Sequence, residues 1–199
     1  MKTSIFLNDM LTKGAILGAV MLLSSVAETS MLYYGNSIKW VLAMSIECVI
    51  AMVVYCYLIY RFTKNYANLV LSERKDMPFF TYGNGLLYAT NISMLAGVIV
   101  ALGGFMFRHY IIGYENYITN YVKLLQDWFS NTEIPASMIG TYEQMFKAIQ
   151  SQEEPSLIST IFSEIWSYLT AGALVGLVVA AFTKRDPQIF DKKENEDEQ

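Results

Sequence analysis

The chain has 199 residues, 54% of them hydrophobic and only 16% charged, with a formal net charge of −4. Soluble domains carry roughly 25% charged residues, so composition alone argues against an ordinary water-soluble globule. The acidity owes much to the C-terminal tail and selects no partner, and no nucleic-acid partner is expected.

Apolar residues collect in four blocks, at about 14–34, 40–60, 85–107 and 157–182. Each matches the ~20 residues that cross about 30 Å of hydrocarbon as a helix. None has the short, alternating pattern of a membrane barrel strand. The first block, with Lys2 ahead of it and Ser25-Val26-Ala27 inside it, imitates a cleavable signal peptide. The leader, however, is long and contains Asp9, and apolar character resumes at Met31-Leu32-Tyr33-Tyr34, so an uncleaved helix is expected. Gly35-Asn36-Ser37 then makes a tight turn into the second block, so spans one and two form an antiparallel hairpin. Cys48 and Cys56 lie eight residues apart on that second helix, too far to bridge, and read as apolar filler.

The second helix should run past Tyr66 and end near Asp76-Met77-Pro78. Phe79, Phe80 and Tyr82 re-enter the interface before Gly83-Asn84-Gly85 opens span three. The connection from about 108 to 155 holds two further helical patterns. Tyr114, Tyr117, Ile118, Tyr121, Leu125 and Trp128 make one aromatic face; Met138, Tyr142, Met145, Phe146 and Ile149 make a second. Thr141 with Gln144 has the form of a capping box, and Ser156 is placed to cap span four. The aromatic faces should pack on each other or lie on the lipid surface; a docking face for a partner is the alternative. The tail, 186–199, is polar and acidic and is expected to be disordered. The fold class is therefore an all-α membrane protein, with four transmembrane helices in a single domain over 1–185 and two amphipathic extracytoplasmic helices between spans three and four.

Lysine and arginine crowd the leader (Lys2, Lys13), the second connection (Arg61, Lys64, Arg74, Lys75) and the exit of span four (Lys184, Arg185). The positive-inside rule then puts both termini in the cytoplasm, and the expected location is the bacterial inner membrane.

Three glutamates sit inside apolar blocks, and an intramembrane ionisable group marks a functional site by default. Glu28 lies fifteen residues beyond Lys13 and Glu47 fourteen before Arg61, about 22 Å and about 21 Å along helices rising 1.5 Å per residue. They should share one depth on adjacent helices. Candidate partners are Ser25 and Ser45 on the same helices, with Thr90, Asn91 and Ser93 on span three. The pair reads either as a proton or cation site or as protonated glue between helices. Glu164, twenty residues before Lys184, falls at the outer boundary with Arg108 and His109, where an ion pair with Arg108 is possible and His109 reads as an interfacial residue. Gly14 with Gly18, and Gly172 with Gly176, form small-x-x-x-small faces for close helix packing. No phosphate loop, dinucleotide fingerprint or paired metal-ligand spacing occurs, so neither catalysis nor a metal or other cofactor is expected.

Tyr60-Arg61-Phe62 at the exit of span two, Phe79-Phe80-Thr81-Tyr82-Gly83-Asn84-Gly85 and the glycine-rich ending Gly172 to Arg185 make the chain similar to a known family. It resembles the domain-of-unknown-function 4199 family of small bacterial inner-membrane proteins. The resemblance implies four spans with an outer helical insertion and assigns no catalytic residues. It also implies envelope glycan work, with a lipid-linked glycan intermediate as a possible ligand. The leading functional expectation is a non-catalytic subunit or scaffold of a cell-envelope complex. The alternative is a small oligomeric transporter or lipid-carrier flippase using Glu28 and Glu47 as its proton or cation site. Beyond the bilayer itself, a protein partner or a second copy of the chain is expected.

Overall fold

The computed structural model describes residues 3–35, 38–73, 79–130 and 136–185. These form α1 (Thr3–Tyr34), α2 (Ile38–Glu73), α3 (Tyr82–Met106), α4 (Tyr114–Ser130), α5 (Ala136–Gln150) and α6 (Leu157–Thr183), with a π-helical turn, Phe107–Ile112, prolonging α3. Four stretches are long and apolar enough to cross a membrane: Phe6–Tyr34, Lys39–Ser72, Tyr82–Ile112 and Leu157–Thr183. They coincide with the four apolar blocks, and α4 and α5 occupy the connection before the last. The third stretch is the most enclosed, with 50% of its apolar window buried against 11–22% in the others.

The helices overrun the apolar blocks for local reasons. Thr3 to Lys13 contains neither Gly nor Pro, so nothing stops α1 from reaching back to Thr3. α1 also runs unbroken through Ser25-Val26-Ala27. α3 starts at Tyr82, so Gly83 and Gly85 belong to its first turn. Its cap is Thr81, whose Oγ1 accepts the Asn84 N–H at 3.2 Å. Thr141 is no cap: it lies inside α5, which starts at Ala136 and passes through Gly140. Ser156 does cap α6, its Oγ accepting the Ser159 N–H at 3.2 Å. The π turn ends at Gly113, whose φ of +85° is one that side-chain-bearing L residues rarely adopt. Asn36-Ser37, Asp76-Met77-Pro78 and the acidic tail lie outside the described residues.

The chain divides into two compact units. One comprises Met1–Gly18, Val54–Gly97 and Ile165–Gln199; the other comprises Ala19–Val53 and Val98–Glu164. The first is closely packed. Tyr66 and Tyr88 stack at 4.2 Å with 4° between their planes, and Phe6 meets both edge-on. The Tyr88 hydroxyl donates to Asp9 Oδ2 at 2.5 Å, which satisfies a carboxylate inside an apolar helix. Gly14 faces the Leu95 side chain, where an added Cβ would come within 2.7 Å. Gly172 sits against Ser93 Cβ, and Gly176 lies 3.1–3.2 Å from Leu86 and Ala89 by the same measure. A two-bond backbone bridge also joins Phe80 and Arg185, with Phe80 N–H to Arg185 O at 3.0 Å and Arg185 N–H to Phe80 O at 2.9 Å. It ties the end of α6 to the entry of α3.

The second unit holds the hairpin half of α1 and α2, the end of α3, α4, α5 and the start of α6. Gly103 lies against the Leu22 side chain, and Phe129 of α4 packs on Tyr142 and Phe146 of α5 at 4.2 and 5.7 Å. The polar features below belong to this unit.

Candidate functional site

Glu28 on α1 and Glu47 on α2 meet. One oxygen of each carboxylate and Cys48 Sγ all lie within 4.8 Å of one another. The equal depths counted from Lys13 and Arg61 bring the carboxylates together as antiparallel neighbours. Glu47 Oε1 accepts a hydrogen bond from Ser24 Oγ, while its Oε2 is buried without a hydrogen-bond partner among the described residues.

The serine that reaches the pair is therefore Ser24. One residue is 100° of rotation on a helix, and Ser25 lies on another bearing, its Oγ 3.6 Å from where a Cβ of Gly104 would stand. The other candidate partners bond along their own helices. Ser45 donates to Val41 O, Thr90 to Leu86 O, Asn91 to Leu87 O at 2.7 Å and Ser93 to Ala89 O. Cys48, read as filler, is the residue sequence reasoning missed. Its adjacency to Glu47 was visible, but its meeting with Glu28 needs the helix phase.

Two ionised carboxylates within 4.8 Å would repel by at least about 3 kcal/mol at an effective dielectric of about 20. An interhelical hydrogen bond in a membrane returns about 0.6 kcal/mol, so Ser24 alone does not offset that repulsion. A proton shared across the pair or a cation between the oxygens does. Glu28, Glu47 and Cys48 together offer enough donors, at suitable distances, to hold a metal ion.

The second feature is a cavity of about 520 Å³ where α3 ends and α6 begins. Arg108, His109 and Glu164, expected at one level, all line it. Arg108 and Glu164 do not pair among the described residues; His109 Nε2 instead approaches Glu154 Oε1 at 3.1 Å without forming a hydrogen bond. His109 is largely enclosed by its neighbours. Its side chain is 7% exposed, Nδ1 donates to Phe105 O at 3.0 Å, and the ring stacks on Phe105 and Tyr114 at 3.7 and 5.3 Å. His109 lies within the π turn.

The aromatic face of α4 has a role beyond packing on α5. Tyr114, Tyr117, Ile118 and Tyr121 form one wall of the cavity, and α4 buries Val122 and Leu124 instead. Burial pushes the Tyr117 hydroxyl pKa up, with smaller upward contributions from Tyr121, Glu28 and Tyr114, opposed by Arg108. Tyr114 is also pushed up, by burial and then Glu154, against Arg108. Both therefore remain neutral phenols at ordinary pH.

Four helices long and apolar enough to cross a bilayer define a small multi-pass helical membrane protein. The chain belongs to the family described as "Protein of unknown function (DUF4199)", whose model matches residues 12–185. No curated protein and no solved structure matches it.

Proposed function

We propose that this protein handles a small cation, a proton in the first instance, in the bacterial inner membrane, with Glu28 and Glu47 as its binding pair. The observation that carries this reading is the approach of two carboxylates to within 4.8 Å inside bilayer-length helices. Two carboxylates on neighbouring spans, with one serine as hydrogen-bond donor, leave room for an exchangeable proton or cation, as a charge-carrying site requires. The Lys and Arg distribution orients the chain with both termini in the cytoplasm. α4, α5 and the cavity then face the outside, and Glu164 with Arg108 stands between the external medium and Glu28. Four spans are few for a transporter acting alone, so the working form is a homo-oligomer or a subunit of an envelope complex, and the chain itself catalyses no covalent step.

Proteoliposomes carrying an internal pH dye test this. Under an imposed potential, the purified wild type should pass protons or a monovalent cation, and Glu28→Gln and Glu47→Gln should abolish the flux while eluting and melting as folded protein. Equal flux in wild type and the double variant would sink the reading. Purification in mild detergent with mass spectrometry then separates a homo-oligomer from a partnered subunit.

The second reading, a scaffold subunit, is favoured by an apolar cleft of about 460 Å³ among Leu102, Phe105, Met106, Tyr110 and Leu157. Tyr110 there is 78% exposed.

A further inference from the structure

Arg108 and Glu164 line one cavity, yet among the described residues neither has an ion-pair partner. Opposite charges that share a cavity without pairing are complemented by a ligand that carries both. Depth narrows its kind. Arg108 lies four residues before the end of the third apolar stretch and Glu164 seven after the start of the fourth. That is about 6 and about 10 Å inside the helix ends, where lipid headgroups meet hydrocarbon.

The walls add two constraints. Tyr117 and Tyr121 present parallel rings, 6.3 Å apart and 5° from coplanar, along one side of the cavity, and tyrosine faces attract ammonium groups. The Phe105–His109 stack has the polar cavity on its histidine side, while Phe105 lines the apolar cleft of about 460 Å³. A polar cavity and an apolar cleft either side of one ring stack fit an amphiphile. The cavity volume of about 520 Å³ lies within the range usual for small-ligand sites.

We infer that this cavity binds the phosphoethanolamine headgroup of a membrane phospholipid. The phosphate sits on the Arg108 guanidinium, the primary ammonium on Glu164 and the tyrosine faces, and an acyl chain in the cleft beside Phe105. A primary ammonium fits better than a quaternary one, because a carboxylate accepts N–H bonds that a trimethylammonium cannot give. The assignment does not rest on ion movement through Glu28 and Glu47, and binding is readable where flux is absent.

The test is native mass spectrometry of the purified, delipidated full chain, titrated with phosphatidylethanolamine, phosphatidylglycerol and phosphatidylcholine of identical acyl chains. Phosphatidylethanolamine should bind about tenfold more tightly than either, the scale of one charged hydrogen bond. Glu164→Gln should bring phosphatidylethanolamine down to the level of phosphatidylglycerol, and Arg108→Gln should weaken both alike, with elution and melting as checks on folding. Free phosphoethanolamine should displace the lipid, but weakly, since it lacks the chain. Equal binding of the three lipids by wild type would overturn the inference, whatever the variants do. Binding of free phosphoethanolamine by a chain that does not bind phosphatidylethanolamine would overturn the membrane source of the ligand.

Discussion

The two units of this chain resolve the same problem, a carboxylate on an apolar helix, in opposite ways. In the unit built from Met1–Gly18, Val54–Gly97 and Ile165–Gln199, the carboxylate of Asp9 is consumed by one phenol, Tyr88, inside an aromatic cluster. In the unit built from Ala19–Val53 and Val98–Glu164, Glu28 and Glu47 face each other with one serine between two charges' worth of demand, and a cavity holds Arg108 and Glu164 apart from any ion pair among the described residues. A satisfied polar group specifies packing, whereas an under-satisfied one stays available to a ligand. Stability and function should therefore be separable by unit.

Substitutions can break or sharpen that contrast. The largest effect is expected from Tyr88→Ala, which empties a fully buried ring site and should cost about 3–5 kcal/mol in reversible detergent unfolding. Gly172→Leu forces side-chain atoms into Ser93 and should cost about 1–3 kcal/mol by the same measurement. Glu47→Gln should abolish flux yet shift stability by no more than about 1 kcal/mol, in the favourable direction, because it removes a repulsion and keeps an acceptor for Ser24. A loss as large as that of Gly172→Leu would erase the distinction between the units. Ser24→Ala should cost about 0.6 kcal/mol, resolvable in a double-mutant cycle with Glu47→Leu, which removes the acceptor.

The smallest effect concerns alkaline pH. A tyrosine whose folded pKa is raised above its ordinary 10.0 binds its proton more tightly folded than unfolded. Its contribution is complete below about pH 10 and fades as pH climbs through the raised value. Wild-type stability should therefore decline more steeply in that window than that of Tyr117→Phe, as followed by melting with tyrosinate absorbance in parallel.

Apolar run length made the helical skeleton legible, because a bilayer-length run admits few alternatives. Counting from Lys13 and Arg61 also put Glu28 and Glu47 at one depth, since axial rise is nearly constant. Rotation was less legible: Ser24 replaced Ser25, and Cys48 joined the pair, because a one-residue error in phase turns a side chain through 100°. The Phe80–Arg185 bridge joins backbones more than a hundred residues apart and leaves no local signature. The enclosure of His109 was not legible either, because residue type does not announce the π turn that carries it.

That π turn has a consequence for how the cavity tolerates change. Between Phe107 and Ile112 the chain winds with close to one more residue per turn than an α-helix, so it carries slack that the other spans lack. Deleting Ile111 would let the segment rewind as ordinary α-helix, leaving α3 long enough to cross the bilayer. The gearing between α3 and α4 would then slip by about a quarter-turn, and the tyrosine wall would turn relative to the arginine with which it lines the cavity.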